Sequence, residues 1–218
     1  MEKNLTELVF ILDRSGSMSG LESDTIGGFN SMLAQQKAEP GECLITTALF
    51  DDKYELLHDR INVKTVEPLT DKEYFVRGYT ALLDAVGTTI NKIGDALNNT
   101  PEENRAEKVL FVITTDGMEN ASKEFGYDKI KSMIEHQKEK YSWEFIFLGA
   151  NIDAVEVAGR IGIGKNRAQS FHNDKQGIAL NYMAMSQTVS AYRQAPQGQK
   201  IDDNWQEAID EDFKKRKK

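Results

Sequence analysis

The apolar run Leu8-Val9-Phe10-Ile11-Leu12 breaks off at Asp13-Arg14-Ser15-Gly16-Ser17-Met18, and this junction constrains the fold more than any other stretch. An unbroken apolar run of this length, with no polar alternation, predicts a buried strand, as found in a parallel sheet covered on both faces. In the tight loop that follows, one carboxylate and two hydroxyls stand two residues apart. Their oxygens can converge on one point, and a hard divalent cation prefers such ligands.

Two later junctions repeat the pattern. Asp116 follows the strand-like run Val109-Leu110-Phe111-Val112-Ile113 in Thr114-Thr115-Asp116-Gly117, and Thr80 stands in Arg77-Gly78-Tyr79-Thr80-Ala81-Leu82 just before a helical pattern. The carboxyl ends of parallel strands gather on one edge of a sheet, so Asp13, Ser15, Ser17 and Asp116 can share a crevice there, with Thr80 joining from a neighbouring loop.

Between these junctions the chain alternates helix and strand signals. Ile26, Phe29 and Leu33 recur at helical spacing and predict a helix over about 21–38 that ends before Pro40-Gly41. Cys43 to Phe50 reads as a strand, and Asp51-Asp52-Lys53 turns it into Tyr54-Glu55-Leu56-Leu57. So short a connection requires an antiparallel hairpin, because a parallel crossover needs a dozen or more residues. Leu83, Val86, Ile90, Ile93 and Leu97 mark the clearest helix, Lys108–Thr115 the next strand, Ile130, Met133 and Ile134 another helix, and Trp143–Gly149 another strand. A short helix runs through Val157, and Ile178, Tyr182, Met185, Val189 and Tyr192 define a last core helix. This is the order of a doubly wound α/β fold with a mostly parallel sheet and one antiparallel edge hairpin. Beyond Pro196, Trp205, Ile209 and Phe213 fall four apart and predict a short amphipathic helix capped by Asp202 or Asp203, packing on its own domain.

Asp13, Ser15, Ser17, Thr80 and Asp116 together resemble the metal-ion-dependent adhesion site of the von Willebrand factor type A family, with all five positions present. The resemblance in organisation spans about the first 165 residues; it implies a domain over 1–195 and an extension over 196–218. In that family the two serines and the threonine meet the metal directly or nearly so, and the two aspartates hold it largely through bound water. Mg²⁺ is the implied ion, with Mn²⁺ or Ca²⁺ as substitutes. The resemblance further implies a partner protein whose Asp or Glu completes the coordination. Bacterial standalone members are associated with stress response or tellurite resistance.

Two alternatives stand beside this reading. A Mg²⁺-dependent phosphatase of the haloacid dehalogenase type would place its nucleophile at Asp13, but its general acid, normally a second Asp, falls at Ser15, and a hydroxyl cannot do that work near neutral pH. A scaffold with a purely structural metal is the other. The sequence has no phosphate-binding Gly-rich Lys-Ser/Thr loop, no nucleophile elbow and no zinc-spaced histidines, and His58, His136 and His172 are scattered. The expectation is therefore a non-enzymatic module.

The net charge of −8 argues against nucleic-acid or anionic-lipid partners. The basic end Lys214-Lys215-Arg216-Lys217-Lys218 reads as a solvated terminus. The chain starts without a secretion-signal pattern, has no run of the roughly 18 apolar residues needed to span a bilayer, and carries one cysteine, Cys43, expected to be buried. Together these predict a cytoplasmic protein. Asp51, Asp52 and Asp84 read as turn or surface residues, with Asp84 one helical turn after Thr80 adding negative potential near the site.

Overall fold

Strand β1 (Leu5–Asp13) lies at the centre of the sheet, where its unbroken apolar run has helices on both faces. The computed structural model describes residues 5–216. Leu8, Phe10 and Leu12 point into one core layer, and Val9 and Ile11 into the other, as the two-residue period of a strand requires.

The remaining elements follow as α1 (Glu22–Ala38), β2 (Glu42–Phe50), β3 (Tyr54–Asn62), α2 (Leu82–Asn98), β4 (Lys108–Thr115), α3 (Tyr127–Tyr141), β5 (Glu144–Ala150), α4 (Ala154–Arg160), β6 (Ala168–Phe171), α5 (Lys175–Gln194) and α6 (Glu207–Arg216). The six strands lie in the order β3-β2-β1-β4-β5-β6, all parallel except the antiparallel pair β2 and β3. Helices α1, α5 and α6 cover one face, and α2, α3 and α4 the other. The predicted α/β architecture and its edge hairpin are both present. No helix of the described residues is long and apolar enough to cross a membrane.

Three features differ from expectation. Strand β6, only four residues long, has the sequence Ala168-Gln169-Ser170-Phe171, too short and too mixed to display a period. The hairpin's second strand runs on to Asn62 through polar residues, because one side of an edge strand faces water. Helix α6 begins at Glu207, so neither Asp202 nor Asp203 caps it; Asp203 instead accepts from Arg167 at 2.6 Å, and Asp202 accepts from the Asn204 N–H.

The C-terminal helix folds back on its own domain as predicted. Ile209 is buried, the Phe213 ring packs 4.8 Å from that of His172, and Trp205 donates its indole N–H to the Asn166 carbonyl. Within the basic end, Lys214, Lys215 and Arg216 pair with Asp210, Glu211 and Asp212 one turn earlier, while Lys217 and Lys218 lie outside the described residues. Cys43 is buried as expected, and burial pushes its thiol up to about 12, so it stays protonated.

Candidate metal centre

The hydrogen-bond register of the sheet assembles the site. Leu12 lies opposite Thr114 in the β1–β4 pair, which leaves Asp13 beside Thr115. The Thr115 hydroxyl donates to Asp13 Oδ2 at 2.6 Å, the Asp116 N–H donates to the same oxygen at 3.3 Å, and the Ser15 N–H donates to Oδ1 at 2.7 Å. Asp13 thus ties together the loops that follow β1 and β4. Burial raises its carboxyl above the ordinary value, and these donors oppose the rise.

Ser15 stands at the N-cap of the one-turn 3-10 helix Gly16–Met18, which contains Ser17, and its side chain makes no capping hydrogen bond. Ser15 Oγ lies 3.2 Å from Ser17 Oγ and 3.0 Å from Thr80 Oγ1. Ser15 and Thr80 are buried, whereas Ser17 is exposed and opens the cluster to solvent.

Thr80 comes from the segment 66–81, which has no strand or helix of its own and is pinned by its neighbours. The Arg77 N–H donates to the Arg14 carbonyl, the Gly16 N–H to the Gly78 carbonyl, the Ala81 N–H to the Asp51 carbonyl, and the Thr80 N–H to Asn120 Oδ1. Gly78 has φ +68°, and a Cβ there would stand 2.0 Å from Asp52 Oδ1, so this turn needs glycine.

A buried ion pair anchors the same segment. Arg14 and Asp51 are both fully buried and meet at 3.1 Å; Asp51 also accepts from Arg77 at 2.6 Å, and Arg14 reaches Glu55 at 2.7 Å and the Glu73 carbonyl at 3.2 Å. Asp51 closes a turn through the Lys53 N–H, as expected, but it is a core anion, and the arginines hold its carboxyl below the ordinary value despite its burial. Asp52 is exposed, as expected. Asp84 does not face the site: it accepts from the backbone N–H groups of Lys123, Glu124 and Phe125 and so orders the segment after Asp116.

Asp116 is gripped from its far side. Asn151 donates to Oδ1 and Asn173 to Oδ2. Burial, reinforced by the nearby charge of Asp13, pushes the Asp116 carboxyl up to about 7, against the pull of the two amides. Sequence reasoning missed both asparagines. Asn151 stands directly after β5, the same strand-end position that flagged Asp13 and Asp116; Asn173 follows β6, which has no period to find.

The arrangement fits a small, hard cation. With metal–oxygen distances of about 2.0–2.1 Å, adjacent ligands of an octahedral Mg²⁺ stand about 2.9 Å apart, close to the 3.0 and 3.2 Å found between the hydroxyls. A Cβ on Gly117 would lie 3.2 Å from Thr80 Oγ1 and 3.3 Å from Ser17 Oγ, so the backbone after Asp116 closes against the same oxygens. Among the described residues no cluster of three or more His, Cys, Asp or Glu side chains offers a competing metal site.

No protein-family profile and no curated protein sequence matches the chain. Solved structures do. A von Willebrand factor type A protein from Catenulispora acidiphila is similar with a TM-score of 0.56 at 11% identity, over 87% of this chain and 43% of that one. Proximal thread matrix protein 1 from the mussel byssus, in a form with a zinc-occupied MIDAS motif, is similar with a TM-score of 0.58 at 12% identity, over 85% and 46%. A mutant of the PilB minor pilin from Streptococcus sanguinis is similar with a TM-score of 0.58 at 13% identity, over 88% and 63%. The chain thus spans less than two thirds of each of these proteins. At such identities the likeness speaks for the backbone alone, and by that measure the chain has the α/β fold of von Willebrand factor type A domains.

Proposed function

We propose that the chain is a non-enzymatic protein-binding module that holds Mg²⁺ through Asp13, Ser15, Ser17, Thr80 and Asp116, and recognises an acidic residue of a partner protein there. The observation that carries the reading is the Ser15 hydroxyl, which touches Ser17 at 3.2 Å and Thr80 at 3.0 Å beside two buried carboxylates. Ser15, Ser17 and Thr80 are the inner ligands, while Asp13 and Asp116 hold ligand water and orient the hydroxyls. When bound, the cation supplies an electrophilic point that attracts a carboxylate oxygen from outside, because neutral hydroxyls leave its charge largely uncompensated. The exposed edge at Ser17 is where that oxygen enters.

Asp13 is poorly placed to act as a nucleophile. Both its oxygens already accept hydrogen bonds, and the residue two positions on is a hydroxyl with no acid function near neutral pH. The zinc-occupied motif in the mussel protein supports a divalent-cation site in this fold. The family resemblance suggests stress response or tellurite resistance as the process, and growth on tellurite of a strain lacking the gene tests that assignment.

The direct test is calorimetric titration of Mg²⁺, alongside pull-downs with wild-type protein and Ser15→Ala in Mg²⁺ and in chelator. A partner retained only by wild type in Mg²⁺ supports the reading. Partners indifferent to both changes would move the functional surface elsewhere, and Mg²⁺-dependent hydrolysis of a generic phosphate ester lost in Asp13→Asn would establish a phosphatase instead.

A further inference from the structure

The two most exposed large hydrophobic side chains among the described residues are Tyr79, 70% exposed, and Met118, 67% exposed. Each adjoins the metal centre, on a different loop: Tyr79 immediately precedes Thr80, and Met118 immediately follows Gly117, whose backbone packs against the Thr80 and Ser17 hydroxyls. Phe75, also exposed, already has the guanidinium groups of Arg14 and Arg77 at 5.4 and 5.1 Å from its ring centre. The Tyr79 ring has no such cation or aromatic contact among the described residues.

The carboxylates nearby do not make this rim hostile to an acidic visitor. Glu119 accepts from the N–H groups of Leu83, Ala121 and Ser122 and from the Ser122 hydroxyl. Asp84 accepts from three further backbone N–H groups, and Asp116 from two asparagines. These three carboxylates are held by local donors, and Asp52, exposed beside Gly78, has the charge of Arg77 nearby, so a cation at the hydroxyls leaves the mouth attractive to a carboxylate.

We propose that Tyr79 and Met118 form an apolar collar that selects, for the metal centre, a loop of another protein in which an Asp or Glu is flanked by bulky apolar side chains. The inference rests on the cation-binding reading above. Tyrosine offers a large, rigid contact with a polar tip, and methionine adapts its shape to the side chain it meets, so the pair suits recognition of an apolar neighbour without demanding one exact residue. The acidic residue supplies the metal-dependent attraction and the collar supplies the discrimination.

The probes are two blocked peptides, leucine-aspartate-leucine and serine-aspartate-serine, with leucine-asparagine-leucine as control, titrated into wild type, Tyr79→Ser and Met118→Ser in Mg²⁺ and in chelator. Both substitutions lie on exposed side chains and are expected to leave Mg²⁺ affinity unchanged, which titration of Mg²⁺ alone checks. The expected result is that wild type in Mg²⁺ binds the leucine-flanked aspartate about tenfold more tightly than the serine-flanked one, and that either substitution removes most of the difference. Equal binding of the two aspartate peptides, or a preference that survives both substitutions, overturns the collar while leaving the metal reading standing. Aspartate peptides that bind no better in Mg²⁺ than in chelator overturn the metal reading itself. Mg²⁺-dependent self-association lost in Tyr79→Ser would make a second copy of the chain the occupant and overturn the proposal for another protein.

Discussion

Asn173 donates a hydrogen bond to Asp116 from the loop that leads from β6 into α5, and the C-terminal helix clamps that loop on both sides of Asn173. His172 Nε2 lies 3.1 Å from the Phe213 carbonyl oxygen, Arg216 reaches Asp174 at 2.5 Å, and Gln176 reaches Asp212 at 2.8 Å. Helix α6 is therefore linked to Asp116, in the candidate metal centre, through the loop that carries Asn173. Deleting residues 207–218 is expected to lower Mg²⁺ affinity about fivefold to tenfold, corresponding to about 1–1.4 kcal/mol. Asn173→Ala in the full chain should lower it by a similar amount, and calorimetry on both variants checks whether the effect passes through that side chain.

Asp116 sets a pH dependence whose sign changes with the cation. An unfolded chain releases this proton near 3.8, whereas the cation-free folded protein keeps it up to about 7. In that interval the folded state binds more protons, so the contribution is fully present below 3.8 and disappears as pH rises through about 7. In chelator, wild type should lose stability across this window relative to Asp116→Asn. A bound cation favours the carboxylate, so Mg²⁺ affinity should rise over the same window. Thermal unfolding in chelator and in Mg²⁺, taken across that pH range, reads both trends.

Arg14→Met should be costly. It leaves Asp51 buried with only the half-exposed Arg77 as a counterion, and breaking one partner of a buried pair typically costs about 3–5 kcal/mol. Because Arg14 also holds the Glu73 carbonyl, the segment carrying Thr80 should loosen and Mg²⁺ affinity should fall. Urea unfolding gives the stability change, and titration gives the affinity.

Ser17→Ala separates the metal from the fold better than any change at Asp13. Ser17 is exposed and the one hydrogen-bond partner of its hydroxyl among the described residues is that of Ser15, so stability without cation should change by less than about 0.5 kcal/mol while Mg²⁺ binding weakens at least tenfold. Asp13→Ala strands the Ser15 and Asp116 N–H groups and leaves the Thr115 hydroxyl only its longer bond to the Gly117 carbonyl, and each buried donor left unpaired costs about 1–3 kcal/mol. Comparing the two variants in chelator and in Mg²⁺ checks this: equal destabilisation of both without cation would mean that Ser17 has a structural role.

The architecture was legible in the chain because its signals are local and periodic. The stepping of Leu83, Val86, Ile90, Ile93 and Leu97 and the solid apolar runs of β1 and β4 each identify an element without reference to the rest. The convergence of Asp13, Ser15, Thr80 and Asp116 followed from the rule that parallel strands gather their carboxyl ends. Buried polar partnerships were not legible. Nothing near Asp51 announces that Arg14, 37 residues earlier, will bury its guanidinium beside it, and an aspartate in an Asp-Asp-Lys turn has the composition of a surface turn. Asn151 and Asn173 likewise acquire their meaning only from the side chain they face.

The pairing of β1 with β4 has a consequence for the order of events in folding. Asp13 and the Asp116 backbone meet across 103 positions of chain, and Ser15 and Thr80 across 65, so no fragment much shorter than half of the 218-residue chain brings these oxygens together. On the proposed reading, a cation would find no preformed nest on the nascent chain and would engage only after the central strands have zipped in their final alignment. Mg²⁺ should therefore slow unfolding and leave the folding rate nearly unchanged, so that metal uptake becomes a timer for completion of the sheet.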